Sequence, residues 1–184
     1  MKLVGIIGEH PHDTEAVANL LVQKFANIVN FKTLLREIHG SMLDSQKTKH
    51  LLRKAYENNQ ADVIVFVRDL DAFEDNREKK LERQTYFNES NKVIDGRGIF
   101  LLNIQTLEAL IFSDIERFNA FAKSELSFVD NPMMIDNPKR ELKENSSYSE
   151  GQCPEIFKHI RIDTVAQNCR YFREFLNEFE KRIA

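Results

Sequence analysis

The 184-residue chain sets 26 Lys and Arg against 29 Asp and Glu, a formal net charge of −3, so no global basic field marks it as a nucleic-acid binder. At 42% hydrophobic and 30% charged, it carries enough apolar mass for one ordinary domain with or without a small appendage. No stretch approaches the ~18 apolar residues of a membrane span, and Met1–Ile7 is too short for a secretory leader. The two cysteines, Cys153 and Cys169, lie apart without a CxxC spacing and read as reduced, partly buried thiols. These features place the chain in the cytoplasm.

Lys2–Gly8 is a short apolar run ending at Glu9, a candidate central strand. Asp13 opens an amphipathic helix, with Val17, Leu20, Leu21, Phe25 and Ile28 at helical spacing. Thr33–Ile38 is a second strand candidate closed by Gly40. Asp44 or Ser45 caps a second helix with Leu51, Leu52, Ala55 and Tyr56 on its apolar face. Ala61–Arg68 reads as a third strand, Asn76–Glu89 as a mostly polar third helix, and Arg97–Ile104 as a fourth strand. Thr106–Leu126 holds one or two helices. Asp130–Ser149 is weakly patterned, with a short helix at Pro138–Lys143. Asp163 caps a long closing helix to Ile183, striped by Val165, Cys169, Phe172, Leu176 and Phe179. There are no internal repeats.

Strands alternating with helices imply parallel pairing and right-handed crossovers. The expected fold is α/β, a four-stranded mostly parallel sheet with helices on both faces. The expected division is an α/β core over residues 1–126 and a helical extension over 127–184 packed on it.

The run Val63-Ile64-Val65-Phe66-Val67-Arg68-Asp69-Leu70-Asp71 is the most informative segment. Five apolar residues in succession suit a strand buried on both faces. Side chains alternate, so Asp69 and Asp71 are expected on one side of its carboxyl end. Two carboxylates that close resist ionising together unless a cation lies between them. Mg²⁺ or Mn²⁺ is the natural choice for such oxygen donors. A solvated turn is the plainer alternative. Glu9 ends the first strand, and if the first and third strands are neighbours all three carboxylates meet at one sheet edge, where open α/β sheets place ligands.

A strand ending in Glu (Gly5-Ile6-Ile7-Gly8-Glu9), then a later strand ending in Asp-x-Asp (Phe66-Val67-Arg68-Asp69-Leu70-Asp71), resembles the TOPRIM domain. The stretch Leu102–Asp114, with Glu108 and Asp114, is similar to compact stand-alone TOPRIM-like proteins related to nucleases of the overcoming-lysogenization-defect type. Asn137–Lys143 and the helix from Asp163 resemble that family's tail. In such proteins Gly usually follows the first Glu; here His10 and Pro11 do. The resemblance implies a TOPRIM/Rossmann-like sheet and Mg²⁺-dependent cleavage of DNA or RNA, in defence against phage. Glu9, Asp69 and Asp71 would be catalytic and metal-binding, with Asp13, Glu108 and Asp114 accessory.

Arg77, Lys79 and Lys80 follow the Asp pair closely, and Lys139 and Arg140 form a second basic group. These are the candidate phosphate contacts, against the reading of a solvated, mixed-charge helix. His10 and His12 flank Pro11 beside Glu9. The Phe-rich closing helix is either core or the seam of a homo-oligomer. No Walker A or GxGxxG motif supports nucleotide binding. The alternative to a nuclease is a non-catalytic TOPRIM-like subunit working with a separate ATPase.

Overall fold

The computed structural model describes residues 1–35 and 42–184. Its sheet has four parallel strands in the order β2-β1-β3-β4. They are β1 (Lys2–Ile7), β2 (Val29–Thr33), β3 (Val63–Asp69) and β4 (Gly98–Asn103). The crossovers run through α1 (Pro11–Phe25), α2 (Gln46–Asn59) and α3 (Arg77–Lys92). β1 and β3 are therefore hydrogen-bonded neighbours, with Gly5 opposite Ile64 and Ile7 opposite Phe66. Their Val- and Ile-rich runs are covered from both sides, which is what central parallel strands require.

One face of the sheet, through Val4, Ile6, Val65, Val67 and Leu101, packs on α1 and the helices of the second half. The other face, through Ile64 and Phe66, packs on Leu52 of α2 and Tyr86 of α3. The alternation along β3 thus sends Val65, Val67 and Asp69 to the α1 side and Phe66 and Arg68 to the α2 and α3 side.

After β4 the chain is helical: α4 (Ala109–Phe112), α5 (Ile115–Ala122), α6 (Pro138–Asn145), α7 (Cys153–His159), α8 (Ile162–Asn168) and α9 (Arg170–Ile183). The segment after residue 126 packs on α1. Asn19 Nδ2 donates to Pro154 O (2.8 Å), and Gln23 Nε2 donates to Phe157 O (3.1 Å) and Ile160 O (2.8 Å). Gln23 thus holds carbonyls at and just past the end of α7, which lack a helical partner, while Asn19 holds one in its first turn. Phe172 and Phe179 of α9 are fully buried. Phe179 meets Phe25 edge-on at 5.1 Å. The Phe-rich helix is therefore core of this chain.

Two elements depart from expectation. β2 lies at Val29–Thr33, ahead of the expected Thr33–Ile38, of which residues 36–38 lie outside the described residues, as does Gly40. Val29 and Phe31 turn inward from this edge strand while Asn30 and Lys32 face water, an alternation interrupted by no apolar run. The closing helix breaks at Cys169, which is extended (φ −123°, ψ 108°). Cys169 ends one helix and starts the next: its N–H donates to Val165 O (2.8 Å) and its carbonyl accepts from Arg173 N–H (3.0 Å), and Val165, Cys169, Phe172, Leu176 and Phe179 are all buried. Both cysteines are free and buried. Among the described residues no helix is long and apolar enough to cross a membrane.

Candidate functional site

The carboxyl ends of β1 and β3 open into a cavity of about 300 Å³. Glu9, Asp13, Asp69, Asp71, Glu108 and Glu150 line it, with His10, His12, Thr106, Lys139, Tyr148 and Cys153. Each carboxylate arrives by a separate local device. Gly8 lets β1 run close under the first turn of α1: a Cβ there would sit 2.9 Å from Thr14 Cγ2. His10 caps α1, its Nδ1 accepting from His12 N–H at 3.2 Å, and Pro11 opens the helix, so Asp13 falls in the first turn beside Glu9. Glu108 stands at the start of α4, buried to 5% exposure.

β3 and β4 leave the sheet through two left-handed residues, Asp71 (φ 53°) and Gln105 (φ 58°). They are locked together: Asp71 N–H donates to Gln105 O (2.9 Å) and Gln105 N–H to Ala72 O (3.0 Å). Non-glycine residues hold such backbone only when their surroundings enforce it, and they cluster at functional turns.

The two aspartates of the motif differ. Asp69, at the end of β3, accepts one neutral hydrogen bond, from Asn103 Nδ2 (3.0 Å). Burial raises its carboxyl well above the usual range, and the charges of Asp13, Glu108 and Glu9 push in the same direction. Asp71 is half exposed and neutralised. Arg83 NH2 donates to its Oδ2 (3.0 Å), while Arg83 Nε holds Asp69 O (2.9 Å) and Lys79 Nζ holds Asp71 O (2.9 Å). Both residues line the cavity, but the concentrated negative charge lies around Asp69, Asp13 and Glu108.

Burial, with repulsion from Glu108, raises the Asp13 carboxyl to about 7. Burial also raises Glu9, against the opposing pull of Arg68. Arg68 is a strand residue only 3% exposed. Its Nε donates to Glu9 (3.0 Å), and its two terminal nitrogens fork onto Asp44 (2.9 and 2.8 Å). It also stacks over Tyr86 at 4.4 Å.

The remaining expected residues divide. Lys139 lines the cavity, 3.7 Å from Glu108 and 3.4 Å from Glu150. Burial alone would lower its ammonium, but Glu108 and Glu150 hold it charged. Lys79 stands at the rim on Asp71. Lys80 pairs with Glu74 (3.4 Å) and lines a separate groove beside β4. Arg77 and Arg140 are exposed, outside the cavity lining. Asp114 is not in the cavity. Only 2% exposed, it accepts from Arg161 N–H (2.7 Å), Nε (3.0 Å) and NH2 (2.6 Å), joining α5 to the turn before α8. The sequence reading missed Tyr148, Glu150, Cys153 and Thr106 as lining residues. Three of them follow α6, far along the chain: Tyr148 falls in the weakly patterned Asp130–Ser149 stretch and Glu150 and Cys153 just past it, where nothing in the sequence told which element they pack on.

A hard divalent cation fits these residues. Six carboxylates face one lysine across the lining. Buried acceptors also stand without partners beside them, Thr106 Oγ1 and Asn103 Oδ1. All the anionic donors are oxygens, which suits Mg²⁺ or Mn²⁺ rather than a thiolate metal. Among the described residues no three Asp, Glu, His or Cys donors already enclose a point. Such a site would lean on one or two carboxylates, with water and substrate oxygens completing the shell.

The family model described as Domain of unknown function (DUF4276) matches residues 9–180. The chain belongs to that family. The match begins at Glu9 and spans every residue lining the cavity, so the DUF4276 unit includes the core and the helical extension together. No curated protein and no solved structure matches the chain.

Proposed function

We propose that this DUF4276 chain is a metal-dependent nuclease of TOPRIM type that hydrolyses phosphodiester bonds of DNA or RNA. The observation that carries the reading is the gathering of Glu9, Asp13, Asp69 and Glu108 around one cavity at the carboxyl edge of a parallel sheet, with Arg68 answering Glu9, Lys139 standing near Glu108, and no cation within hydrogen-bond reach of Asp69 among the described residues. Retaining that much buried like charge is unfavourable for folding alone, and sites of this kind cluster where function needs them.

Asp69, with Asp13, Glu108 or Glu9, would hold Mg²⁺ or Mn²⁺. When bound, such an ion supplies Lewis-acid stabilisation of phosphate oxygens and favours an attacking water. Arg68 keeps Glu9 at the edge of the cavity and offsets its charge. Arg83 fixes the Asp69–Asp71 turn through one carbonyl and one carboxylate, so both aspartates keep their places as charge changes nearby. Glu9, raised by burial, is suited to carry a proton to or from an oxygen at the reacting phosphate. Lys139 and Lys79 stand where substrate phosphates would approach and would position them without selecting sequence. A role in defence against phage rests on the TOPRIM resemblance.

The test is cleavage of single- and double-stranded DNA and RNA with Mn²⁺, comparing wild type with Asp69→Ala, with and without a candidate ATPase partner. Cleavage by wild type and none by Asp69→Ala is the expected result. Equal activity in both proteins would mean contamination. Inactivity on every substrate, partner included, would favour a non-catalytic subunit instead.

A further inference from the structure

Tyr148 is the one phenol lining the acidic cavity. Its ring is buried in the main core, yet its hydroxyl reaches the site and donates to Glu108 Oε1 at 2.8 Å. The turn carrying it is fixed from both sides. Ser146 Oγ donates to Leu142 O (2.6 Å) and accepts from Tyr148 N–H (3.1 Å). Ser149 and Gln152 close a capping box immediately afterwards.

Lys139 Nζ approaches the same Oε1 at 3.7 Å. Both donors thus converge on one oxygen of Glu108, and among the described residues no donor reaches Oε2. Glu108 is otherwise enclosed, so its rotation is governed by this bond. A neutral phenol fixes the carboxylate without cancelling the charge that a cation needs. Burial keeps the phenol protonated, so the donor persists across the physiological range.

We propose that Tyr148 is a positioning residue that orients Glu108 so that Oε2 serves as a single-oxygen ligand for a divalent cation in this cavity. The inference rests on the metal reading above. Ligating carboxylates are usually hydrogen-bonded in turn, and losing such a partner weakens metal affinity about 10- to 100-fold.

The experiment is a Mn²⁺ titration of the full chain followed by the electron paramagnetic resonance signal of free Mn²⁺. It compares wild type, Tyr148→Phe, Glu108→Gln and the double variant, each checked by circular dichroism and melting. Tyr148→Phe is expected to fold and to bind Mn²⁺ about 10- to 100-fold more weakly. In the Glu108→Gln background the same change is expected to add almost nothing, a coupling that simple loss of packing does not produce. Wild-type affinity in Tyr148→Phe overturns the inference and leaves the metal reading standing, as does a full additive loss in the double variant. Absence of Mn²⁺ binding by wild type sinks the metal reading itself. If Tyr148→Phe does not fold, Tyr148→His, which keeps a ring and an N–H donor, decides the matter: affinity near wild type supports the role, and affinity as weak as Glu108→Gln contradicts it.

Discussion

Two buried aspartates, Asp114 and Asp69, receive opposite treatment. Asp114 is enclosed at the α5–α8 joint, and Arg161 answers it with a backbone N–H and two guanidinium nitrogens. Asp69 is enclosed at the sheet edge among Asp13, Glu108 and Glu9, and one neutral amide answers it. The first is a charge folded in together with its partner. The second is folded in without one. Burial raises the Asp69 carboxyl well above the usual range, and on the metal reading this is the group an external cation would relieve, which separates a structural carboxylate from a candidate functional one.

The largest expected effect that sharpens this contrast is on activity. Asp69→Asn should abolish metal-dependent cleavage while the fold survives, whereas Asp114→Asn should leave the chemistry intact in whatever fraction remains folded. Cleavage assays on purified, melting-characterised variants decide it.

Next comes stability. Asp114→Ala leaves the Arg161 backbone N–H and Nε without their acceptor, Glu116 still holding NH2 (2.8 Å), and should destabilise by about 1–3 kcal/mol. Asp69→Asn removes one of several repelling carboxylates and should raise the apo melting temperature. Denaturant melts without divalent ions give both signs, and the same sign for the two substitutions would break the comparison.

A smaller effect is the pH dependence contributed by Asp13. Its folded carboxyl is raised to about 7, above its unfolded value. The native state therefore holds the extra proton between about pH 4 and that value, where the unfolded chain has lost it. Stability due to this group is fullest below that window, falls as pH rises through it and is level above. Asp13→Asn should flatten this part of the profile. Mn²⁺ should protect the wild type more at pH 8 than at pH 6, because protons compete for the same oxygens. Melting temperatures across pH 5–8 measure both.

The smallest expected effect is on substrate affinity. Lys79→Ala or Lys139→Ala should weaken nucleic-acid binding modestly and lower the salt slope by about one charge each. Lys80→Ala should do less, since Lys80 is paired with Glu74 beside a different groove. Filter-binding or anisotropy at several salt concentrations separates the three.

The sequence shows the strands because central parallel strands must be apolar on both faces, and the Val63–Val67 run has no other economical explanation. Glu9, Asp69 and Asp71 were legible for the same reason: carboxylates that directly end such runs emerge at the sheet edge. Asp13 was legible as a helix-start residue, and Glu108 by its place after β4. Whether they face Asp69 depends on how α1 and α4 dock. Asp114 looked alike in sequence, but its partner Arg161 is supplied by a turn 47 residues further along. The neutralisation of Asp71 by Arg83 was hidden for a similar reason, since Arg83 sat in a helix whose mixed charges read as solvated. Cys153 reaches the cavity through the docking of α7 on α1 and Tyr148 through the turn between α6 and α7, both far along the chain from the strands whose ends they meet. The break at Cys169 carries no Gly or Pro, and apolar residues continue at helical spacing in the sequence on both sides of it, so periodicity could not reveal it.

The central claim is that the Asp69 cavity lacks a cation the fold itself does not supply. The most direct measurement is the melting temperature of wild type and Asp69→Asn, each with and without saturating Mn²⁺. The account predicts that Asp69→Asn is the more stable of the two without metal, and that Mn²⁺ raises the wild type far more than the variant. Identical Mn²⁺ responses in both proteins, together with a less stable variant, would contradict it.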